Sequence, residues 1–304
     1  MDPVDDAVVE AERRQSISDR DLSASVEHFS ATVRLVCTEW NLTVHGWLNG
    51  GAGSPPLAVS CADGTSAVLK IAEPGALDGQ VRVMKAADGV GYARVLRWDA
   101  GHGAVLLERL GRDLWTEFAL MSDQAHVLVP LLHDAWQVPL AYGIPFQGKA
   151  AALLDILFEL GPRCGVDHAP AIALATRYAT QLAVAETGEV VCHGDPHPGN
   201  VLQRSTGWAL IDPDGFIGER AYDLGVVLRD GWQELAATER AHPGTALPKL
   251  RRECHRLAAL ADVAPDRVWQ WAFVERVTTG LYLRWHGHTE ESATFLNTAT
   301  LLVR

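Results

Sequence analysis

The chain has 304 residues, 48% of them hydrophobic and 21% charged, a composition that supports one large or two modest folded domains rather than a disordered chain. Its formal net charge of −12 argues against binding a nucleic-acid backbone, which needs a basic surface, and is compatible with a cationic small molecule. No apolar run is long enough to cross a membrane, and the acidic N-terminus lacks the apolar core of a signal peptide, so we expect neither. The five cysteines are dispersed and form no C-x-x-C pair, which is typical of a reduced, cytoplasmic protein without structural zinc.

The first third of the chain is predicted to contain a small sheet. Residues 1–27 are polar and charged and are expected to form a loosely held extension with a short helix around residues 10–15. Residues 26–40 carry apolar side chains at helical spacing. Strand-like segments then follow at residues 42–48, 57–61, 66–71, 93–98 and 104–108, with a helix between the third and the fourth.

Beyond Arg112 the patterning is mostly helical. Apolar residues at helical spacing predict helices over residues 114–121, 122–136, 148–160, 169–187, 224–238, 245–262 and 265–286.

A rigid loop between residues 193 and 200 interrupts the helices. It reads His-Gly-Asp-Pro-His-Pro-Gly-Asn, and its two prolines fix the backbone and remove two donors. Asp195 and Asn200 lie five residues apart in it, and Asp212 follows a strand-like segment at 208–211. Phosphoryl transfer needs an Asp that takes the acceptor proton, together with an Asn and a second Asp that hold Mg²⁺. Hard carboxylate and amide oxygens suit that ion.

Two other interpretations of this loop stay open at this point. The spacing of His193, Asp195 and His197 also fits a metallohydrolase zinc site, although that leaves Asn200 and Asp212 without a role. The loop could also be a structural proline-rich turn with a capping Asp.

The motifs together resemble a known family. The run HGDPHPGNVL from His193, the IDPDG segment around Asp212, and Ala-Tyr-Asp-Leu at 221–224 resemble the aminoglycoside phosphotransferases, which are small-molecule kinases. Residues 95–99 and 105–110 are most similar to the aminoglycoside/hydroxyurea resistance kinases, which include streptomycin 6-phosphotransferases. The resemblance spans roughly residues 30–285.

This resemblance implies a bilobed, protein-kinase-like α+β fold. Residues 1–108 would form a small N-lobe with an antiparallel sheet, together with the N-terminal extension. Residues 109–304 would form a mostly helical C-lobe with the catalytic loop and the acceptor site, and ATP would bind in the cleft. The protein would act as a monomer or a homodimer.

The resemblance also implies roles for individual residues. Asp195 would be the catalytic base, while Asn200 and Asp212 would hold Mg²⁺. His193 and Asp223 would support the loop structurally.

Nucleotide-binding residues are expected in the N-lobe. Lys70 ends an apolar strand and would neutralise the α- and β-phosphates of ATP. The backbone from Glu108 to Leu110 would bind the adenine edge. One departure concerns the acidic partner of Lys70, because Gln80 stands where relatives tend to carry Glu. We therefore expect Asp78 to take that place.

Acidic side chains are the candidates for binding a cationic acceptor. Asp155 and Glu159 lie four apart on one predicted helix, and Asp230 and Glu234 follow the Asp223 segment. Such carboxylates suit the guanidinium groups of streptomycin, although paired charges on a helix more often form a solvated face.

The function implied is ATP- and Mg²⁺-dependent O-phosphorylation of a small antibiotic, with streptomycin as the first expectation. Alternatives are a kinase for hydroxyurea or another hydroxylated metabolite, and a nucleotide-binding pseudokinase, which the Gln80 departure motivates.

Overall fold

The computed structural model describes residues 3–16, 23–50, 55–145, 148–185 and 187–303. The chain divides into two compact units, Met1–Gly111 and Arg112–Arg304. The glycine-containing segment 51–54, between the predicted strands at 42–48 and 57–61, lies outside the described ranges. No helix in those ranges is long and apolar enough to span a bilayer.

The first unit combines an antiparallel sheet with three helices among its described residues. Its elements are α1 (Pro3–Ser16), α2 (Ser23–Trp40), β1 (Thr43–Trp47), β2 (Leu57–Ser60), β3 (Ser66–Ile71), α3 (Asp78–Ala87), β4 (Val95–Asp99) and β5 (Ala104–Glu108). The described strands pair in the order β1-β2-β3-β5-β4. Strand β2 alternates between buried and half-buried positions, whereas the first four residues of β5 are all buried. Strand β5 therefore lies inside the sheet with both faces covered.

Helix α1 departs from the prediction of a loosely held extension. Val4 and Ala7 are buried in the same core cluster as Phe29 and Val33 of α2. An ion pair of 2.5 Å between Arg34 and Asp5 also joins the two helices. The expectation for residues 3–16 was wrong because a few apolar positions within a charged segment are enough to dock a helix.

The second unit is mostly helical, with short strand pairs. Its elements are α4 (Leu114–Glu117), α5 (Met121–Ala135), α6 (Lys149–Cys164), α7 (Ala169–Ala185), β6 (Val190–Val191), β7 (Val201–Gln203), β8 (Trp208–Leu210), β9 (Ile217–Gly218), α8 (Arg220–Arg229), α9 (Trp232–Ala241), α10 (Ala246–Ala261), α11 (Pro265–Trp285) and α12 (Thr289–Leu301). Helix α11 is the central helix of this unit, since it packs against α6, α7, α8, α10 and α12.

Two predicted helices are broken in the structure, and both breaks border a cleft. The helix predicted over 114–121 ends at Glu117, because Phe118 is extended and its carbonyl accepts a 2.8 Å hydrogen bond from the Gln124 side chain. The helix predicted over 224–238 divides between Asp230 and Trp232. Gly231 at this break lies so close to Met121 that a Cβ would be 1.7 Å from its sulfur.

The strand pairs fix the position of the predicted catalytic loop. Strand β6 pairs with β9 and β7 pairs with β8, all antiparallel. Residues 192–200 connect β6 to β7, and residues 211–216 connect β8 to β9. The two connections therefore lie side by side, which brings the segments of Asp195 and Asp212 together.

Candidate active site

The backbone of the loop is held against the Asp212–Gly215 segment. Gly194 has φ 94°, a conformation that favours glycine, and a Cβ there would lie 2.5 Å from Asp214 Cβ. The amide of Asp214 donates a 2.7 Å hydrogen bond to the carbonyl of His193. Any larger residue at 194 would thus separate the two segments.

Asp223 joins the loop to the helical core. Its carboxylate accepts hydrogen bonds of 2.9 Å from the amides of His193 and Gly194, and one of 2.8 Å from Trp136 Nε1. Burial raises the pKa of Asp223 to about 6, although these three donors oppose the shift. A fully buried carboxylate with three donors fixes the position of the two residues that precede Asp195.

His193 is buried and neutral. Burial lowers the pKa of its imidazole to about 4. Its Nε2 donates a 2.9 Å hydrogen bond to the carbonyl of Ile211, and its Nδ1 accepts one of 3.2 Å from the amide of Asp195. The ring therefore connects the loop to the residue that precedes Asp212.

Asn200 and Asp212 present oxygen atoms suited to a hard cation. The side-chain amide of Asn200 donates a 3.0 Å hydrogen bond to the carbonyl of Asp195, which leaves Asn200 Oδ1 as an available ligand atom. Asp212 adopts the left-handed conformation with φ 58°, which is uncommon outside glycine. An amide oxygen and a carboxylate fit Mg²⁺.

Asp195 faces a buried arginine that the sequence did not single out. Arg229 Nη2 lies 3.0 Å from Asp195 Oδ1, although within the described residues no donor satisfies hydrogen-bond geometry at that oxygen. The contact is therefore an ion pair, while Arg229 directs Nε and Nη2 to Asp230 at 2.8 and 3.2 Å. Burial would raise the pKa of Asp195, but the charge of the nearby Arg229 guanidinium outweighs burial and lowers that pKa. The carboxylate is thus held ionised, as a base must be.

Glu275 on α11 completes the network around Arg229. Its Oε2 lies 3.8 Å from Arg229 Nη1, and its Oε1 accepts a 2.6 Å hydrogen bond from the hydroxyl of Tyr222. That hydroxyl is also 3.1 Å from the carbonyl of Gly194. No motif marks Arg229 or Glu275. The one signal was that Arg229 follows Tyr222 by seven residues and so lies on the same helix face.

His197 lies on the other side of Asp195. Its Nε2 is 3.6 Å from Asp195 Oδ2, and its Nδ1 accepts a 3.1 Å hydrogen bond from the amide of Gly199. The imidazole stacks on the indole of Trp115 with ring centroids 4.9 Å apart and planes inclined by 27°.

A cleft of about 810 Å³ opens beside this group. His197 and Arg229, which both contact Asp195, belong to its wall. Its other walls carry aromatic and acidic side chains, among them Trp115, Phe118, Trp232, Asp230, Glu234, Glu290 and Glu291. A site of this size and lining can hold a polar, ring-containing molecule next to the base.

The sequence model of the family described as aminoglycoside/hydroxyurea antibiotic resistance kinase matches residues 39–287. The chain belongs to this family. This membership confirms the prediction that the protein is a phosphotransferase that acts on hydroxyl groups.

Two curated relatives illustrate the range of the family. The chain is 31% identical over 254 residues to a hydroxyurea phosphotransferase from Kitasatospora aureofaciens, covering 81% of this chain and 74% of the relative. It is 28% identical over 260 residues to a streptomycin 6-kinase from Streptomyces griseus, covering 83% and 82%. The chain is thus similar to enzymes that are named for chemically different acceptors.

The fold prediction is confirmed by solved structures. A macrolide 2′-phosphotransferase from Brachybacterium faecium superposes with a TM-score of 0.57 at 18% identity, covering 88% of this chain and 98% of that one. At this identity the likeness concerns the fold alone, which is the protein-kinase-like α+β fold predicted from the sequence.

The predicted acceptor carboxylates of the kinase divide into two groups. Asp230 and Glu234 line the cleft, yet both are engaged: Asp230 binds Arg229, and Glu234 accepts from the Met121 amide at 2.8 Å and pairs with Lys249 at 2.6 Å. Asp155 and Glu159 are exposed on α6 and are not among the residues that line the cleft. Glu159 instead lies 3.9 Å from Arg163 on the same helix. The structure thus does not bring the α6 pair to the site, and a solvated face describes it better.

The predicted nucleotide-binding residues of the kinase lie in the first unit. Lys70 is half-buried on β3 and pairs in register with Val105 of β5. Asp78 is exposed at the first residue of α3. Glu108 ends β5 and accepts a 2.8 Å hydrogen bond from the Arg94 amide, and Leu110 is buried.

The hydrogen bonds of the loop histidines count against the zinc interpretation. Both ring nitrogens of His193 are used within the protein, and Nδ1 of His197 is used as well. A zinc ligand needs a free ring nitrogen. Within the described residues, His193, Asp195 and His197 do not form a metal-ligand cluster.

Proposed function

We propose that the protein transfers the γ-phosphoryl group of ATP, with Mg²⁺, to a hydroxyl of a cationic aminoglycoside such as streptomycin. One observation carries the proposal: the ionised Asp195 adjoins a cleft of about 810 Å³ with aromatic and acidic walls. The catalytic roles in this proposal are inferred from the residues of the loop, and the class of substrate is inferred from the residues that line the cleft.

Asp195 is proposed to orient the acceptor hydroxyl and take its proton as the phosphoryl group transfers. The transition state of phosphoryl transfer is loose, so catalysis depends on positioning and charge more than on a strong base. The ion pair with Arg229 keeps Asp195 unprotonated. Hydrogen bonds that loop amides donate to the Asp223 carboxylate and to the His193 ring hold the loop that carries Asp195. These contacts already exist before the substrate reacts, so the charged groups of the site do not have to reorganise in the transition state.

Asn200 and Asp212 are proposed to hold Mg²⁺. When bound, the ion neutralises charge that develops on the phosphates. Lys70 is proposed to contact the α- and β-phosphates, Asp78 to pair with Lys70, and the backbone from Glu108 to Leu110 to bind the adenine edge. These nucleotide roles rest on the family membership and the positions of the residues on β3, α3 and β5.

The charge of the cleft favours a cationic acceptor. Glu290 and Glu291 are exposed in the first turn of α12 and line the cleft. Within the described residues neither carboxylate is part of an ion pair, whereas Asp230 and Glu234 are neutralised by Arg229 and Lys249. Two uncommitted carboxylates attract guanidinium or ammonium groups.

Hydroxyurea is the second candidate, since one relative carries that name. It is uncharged and small, so it would fill little of the cleft and make no use of Glu290 and Glu291. The aminoglycoside is therefore preferred.

Mass spectrometry of the products tests this function. Purified protein is incubated with ATP, Mg²⁺ and either streptomycin or hydroxyurea. We expect streptomycin to gain the mass of one phosphoryl group and hydroxyurea to remain unchanged. Phosphorylation of hydroxyurea alone would contradict the acceptor class, and ATP binding without any phosphorylated product would favour the pseudokinase.

A further inference from the structure

We propose that Trp115 is a stacking platform that binds a ring of the acceptor, and so selects ring-containing acceptors over small open-chain ones. The proposal rests on the proposed function and adds a specificity-determining residue to it. The argument starts from the contact between Trp115 and His197 and the position of both beside Asp195.

One face of the Trp115 indole is occupied by His197, and Trp115 is one of the residues that line the cleft. His197 stacks on it with centroids 4.9 Å apart, while 48% of the residue remains exposed. His197 Nε2 is also 3.6 Å from Asp195 Oδ2, so the imidazole lies between the indole and the proposed base. A ligand ring packed on the open part of the indole would therefore be separated from Asp195 by the imidazole and the indole, so the platform would hold one ring of the acceptor while another ring reaches the carboxylate.

Trp115 stands on an anchored support. Asp113 caps α4 by accepting hydrogen bonds of 2.8 Å from the amide and the hydroxyl of Thr116. Asp113 also forms a β-bridge with Leu202 of β7, and Arg112 pairs with Glu117 at 3.1 Å. An exposed aromatic ring on such a fixed element loses little freedom when a ligand binds.

Gly199 makes the stack possible. A Cβ at this residue would lie 2.5 Å from the Trp115 ring and 2.8 Å from the His197 ring. The glycine thus lets the loop, the imidazole and the indole approach closely. The same loop supplies Asn200, so the platform on α4 packs directly against the catalytic loop.

The chemistry explains the expected selectivity. Sugar and cyclitol rings present C–H groups to an aromatic face, and cationic substituents are attracted to the negative face of an indole. Hydroxyurea has no ring, so it gains nothing from this surface.

Calorimetric titration of streptomycin in the presence of ADP and Mg²⁺ tests the platform without requiring turnover. Trp115→Leu is expected to weaken streptomycin binding about tenfold, and Trp115→Phe, which keeps an aromatic face, only about two- to threefold. ADP affinity should change less than about twofold in both variants, because the ring acts on the acceptor. Trp285→Leu is the matched control, since Trp285 is 51% exposed on α11 and is not among the residues that line the cleft.

The outcomes separate the platform from the proposed function. Unchanged streptomycin affinity in Trp115→Leu would overturn the platform, and so would a wild-type protein that does not bind streptomycin. An equal loss of streptomycin and ADP affinity would also overturn it, because that pattern indicates a distorted loop. If the wild type binds streptomycin without phosphorylating it, the proposed function fails and the affinities of the variants still decide the platform.

Discussion

Arg229 Nη2 lies 3.0 Å from Asp195 Oδ1, and this pair sets the charge of the proposed base. The guanidinium is almost buried and also pairs with Asp230 and Glu275, so one cation faces three carboxylates. Burial disfavours its charge, yet Asp230 and Asp195 raise the pKa of Arg229 well above its usual value. The arrangement keeps Asp195 ionised in a partly desolvated place.

Replacing Arg229 should therefore move the pH dependence of catalysis. In Arg229→Gln, burial becomes the dominant influence on Asp195 and raises its pKa, so the acidic limb of the kcat profile shifts to higher pH. Asp230 also loses its partner inside the protein, which is expected to cost about 3 kcal/mol of folding free energy. Steady-state kinetics across pH, with denaturant unfolding in parallel, measures both.

Arg229→Lys and Arg163→Gln are the controls for this prediction. Lysine keeps the charge but loses the two-pronged contact with Asp230, so the limb should move less than in the glutamine variant. Arg163 is exposed on α6 and its replacement should change neither quantity. An acidic limb at the same pH in Arg229→Gln would show that the ion pair does not govern Asp195.

His193 gives a stability prediction with a defined sign. Burial lowers the pKa of His193 to about 4 in the folded protein. In the unfolded chain the same imidazole binds a proton below about pH 6.5, so between pH 6.5 and 4 it is protonated only in the unfolded state. The free energy of unfolding of the wild type therefore decreases as the pH falls from 6.5 to 4, whereas that of His193→Gln does not decrease for this reason. The destabilisation caused by the substitution should be roughly 2 kcal/mol smaller at pH 5 than at pH 7.

Urea unfolding at the two pH values measures this difference. His255→Gln, an exposed substitution on α10, should change stability by less than about 0.5 kcal/mol at both. A destabilisation in His193→Gln that is identical at pH 5 and pH 7 would contradict a buried neutral imidazole.

Asp212 combines a proposed metal ligand with a left-handed backbone. Asn tolerates this conformation, so Asp212→Asn should keep the fold while it lowers kcat and raises the Mg²⁺ concentration needed for half-maximal rate. Asp212→Ala should in addition lose about 1 kcal/mol of stability relative to Asp212→Asn. Asp262→Asn is the matched control, because Asp262 has φ 53° at the end of α10 and no proposed ligand role. Unchanged Mg²⁺ dependence in Asp212→Asn would remove Asp212 from the metal site.

Glu290 and Glu291 should determine the affinity for a cationic acceptor. The double variant Glu290→Gln, Glu291→Gln is expected to raise the KM for streptomycin about tenfold at low salt and to leave the KM for ATP unchanged. Added salt should reduce this difference, because exposed charges are screened. The double variant Asp155→Asn, Glu159→Gln removes the same charge from the exposed face of α6 and should have no effect. Equal effects of the two variants would indicate that overall charge, and not the cleft, attracts the acceptor.

The local parts of the site could be predicted from the sequence. One short loop, whose prolines and glycines restrict its backbone, carries His193, Asp195 and Asn200. Asp223 lies in the Ala-Tyr-Asp-Leu segment at 221–224, which resembles the family motif. The structure brings these residues together through hydrogen bonds. The strands of the first unit could likewise be predicted, because short apolar segments bounded by turn residues are a local signal.

The remainder depends on tertiary packing that no local pattern records. Arg229, Glu275 and Trp115 come from three different helices, and each would pass as an ordinary helical residue in the sequence. At the break between α8 and α9, Gly231 packs on Met121, a contact between residues far apart in the chain. The spacing of Asp155 and Glu159 is the same on a substrate-binding face and on a solvated face of a helix. Only the structure shows that both side chains are exposed and lie outside the cleft lining.

The most direct test of the account is the turnover of Asp195→Asn with streptomycin, measured beside its affinity for ATP and Mg²⁺. The account predicts that kcat falls by about 10²- to 10⁴-fold, since the acceptor hydroxyl loses its base, while nucleotide affinity stays within about threefold. A kcat within about threefold of wild type would contradict the assignment of Asp195 and, with it, the proposed mechanism.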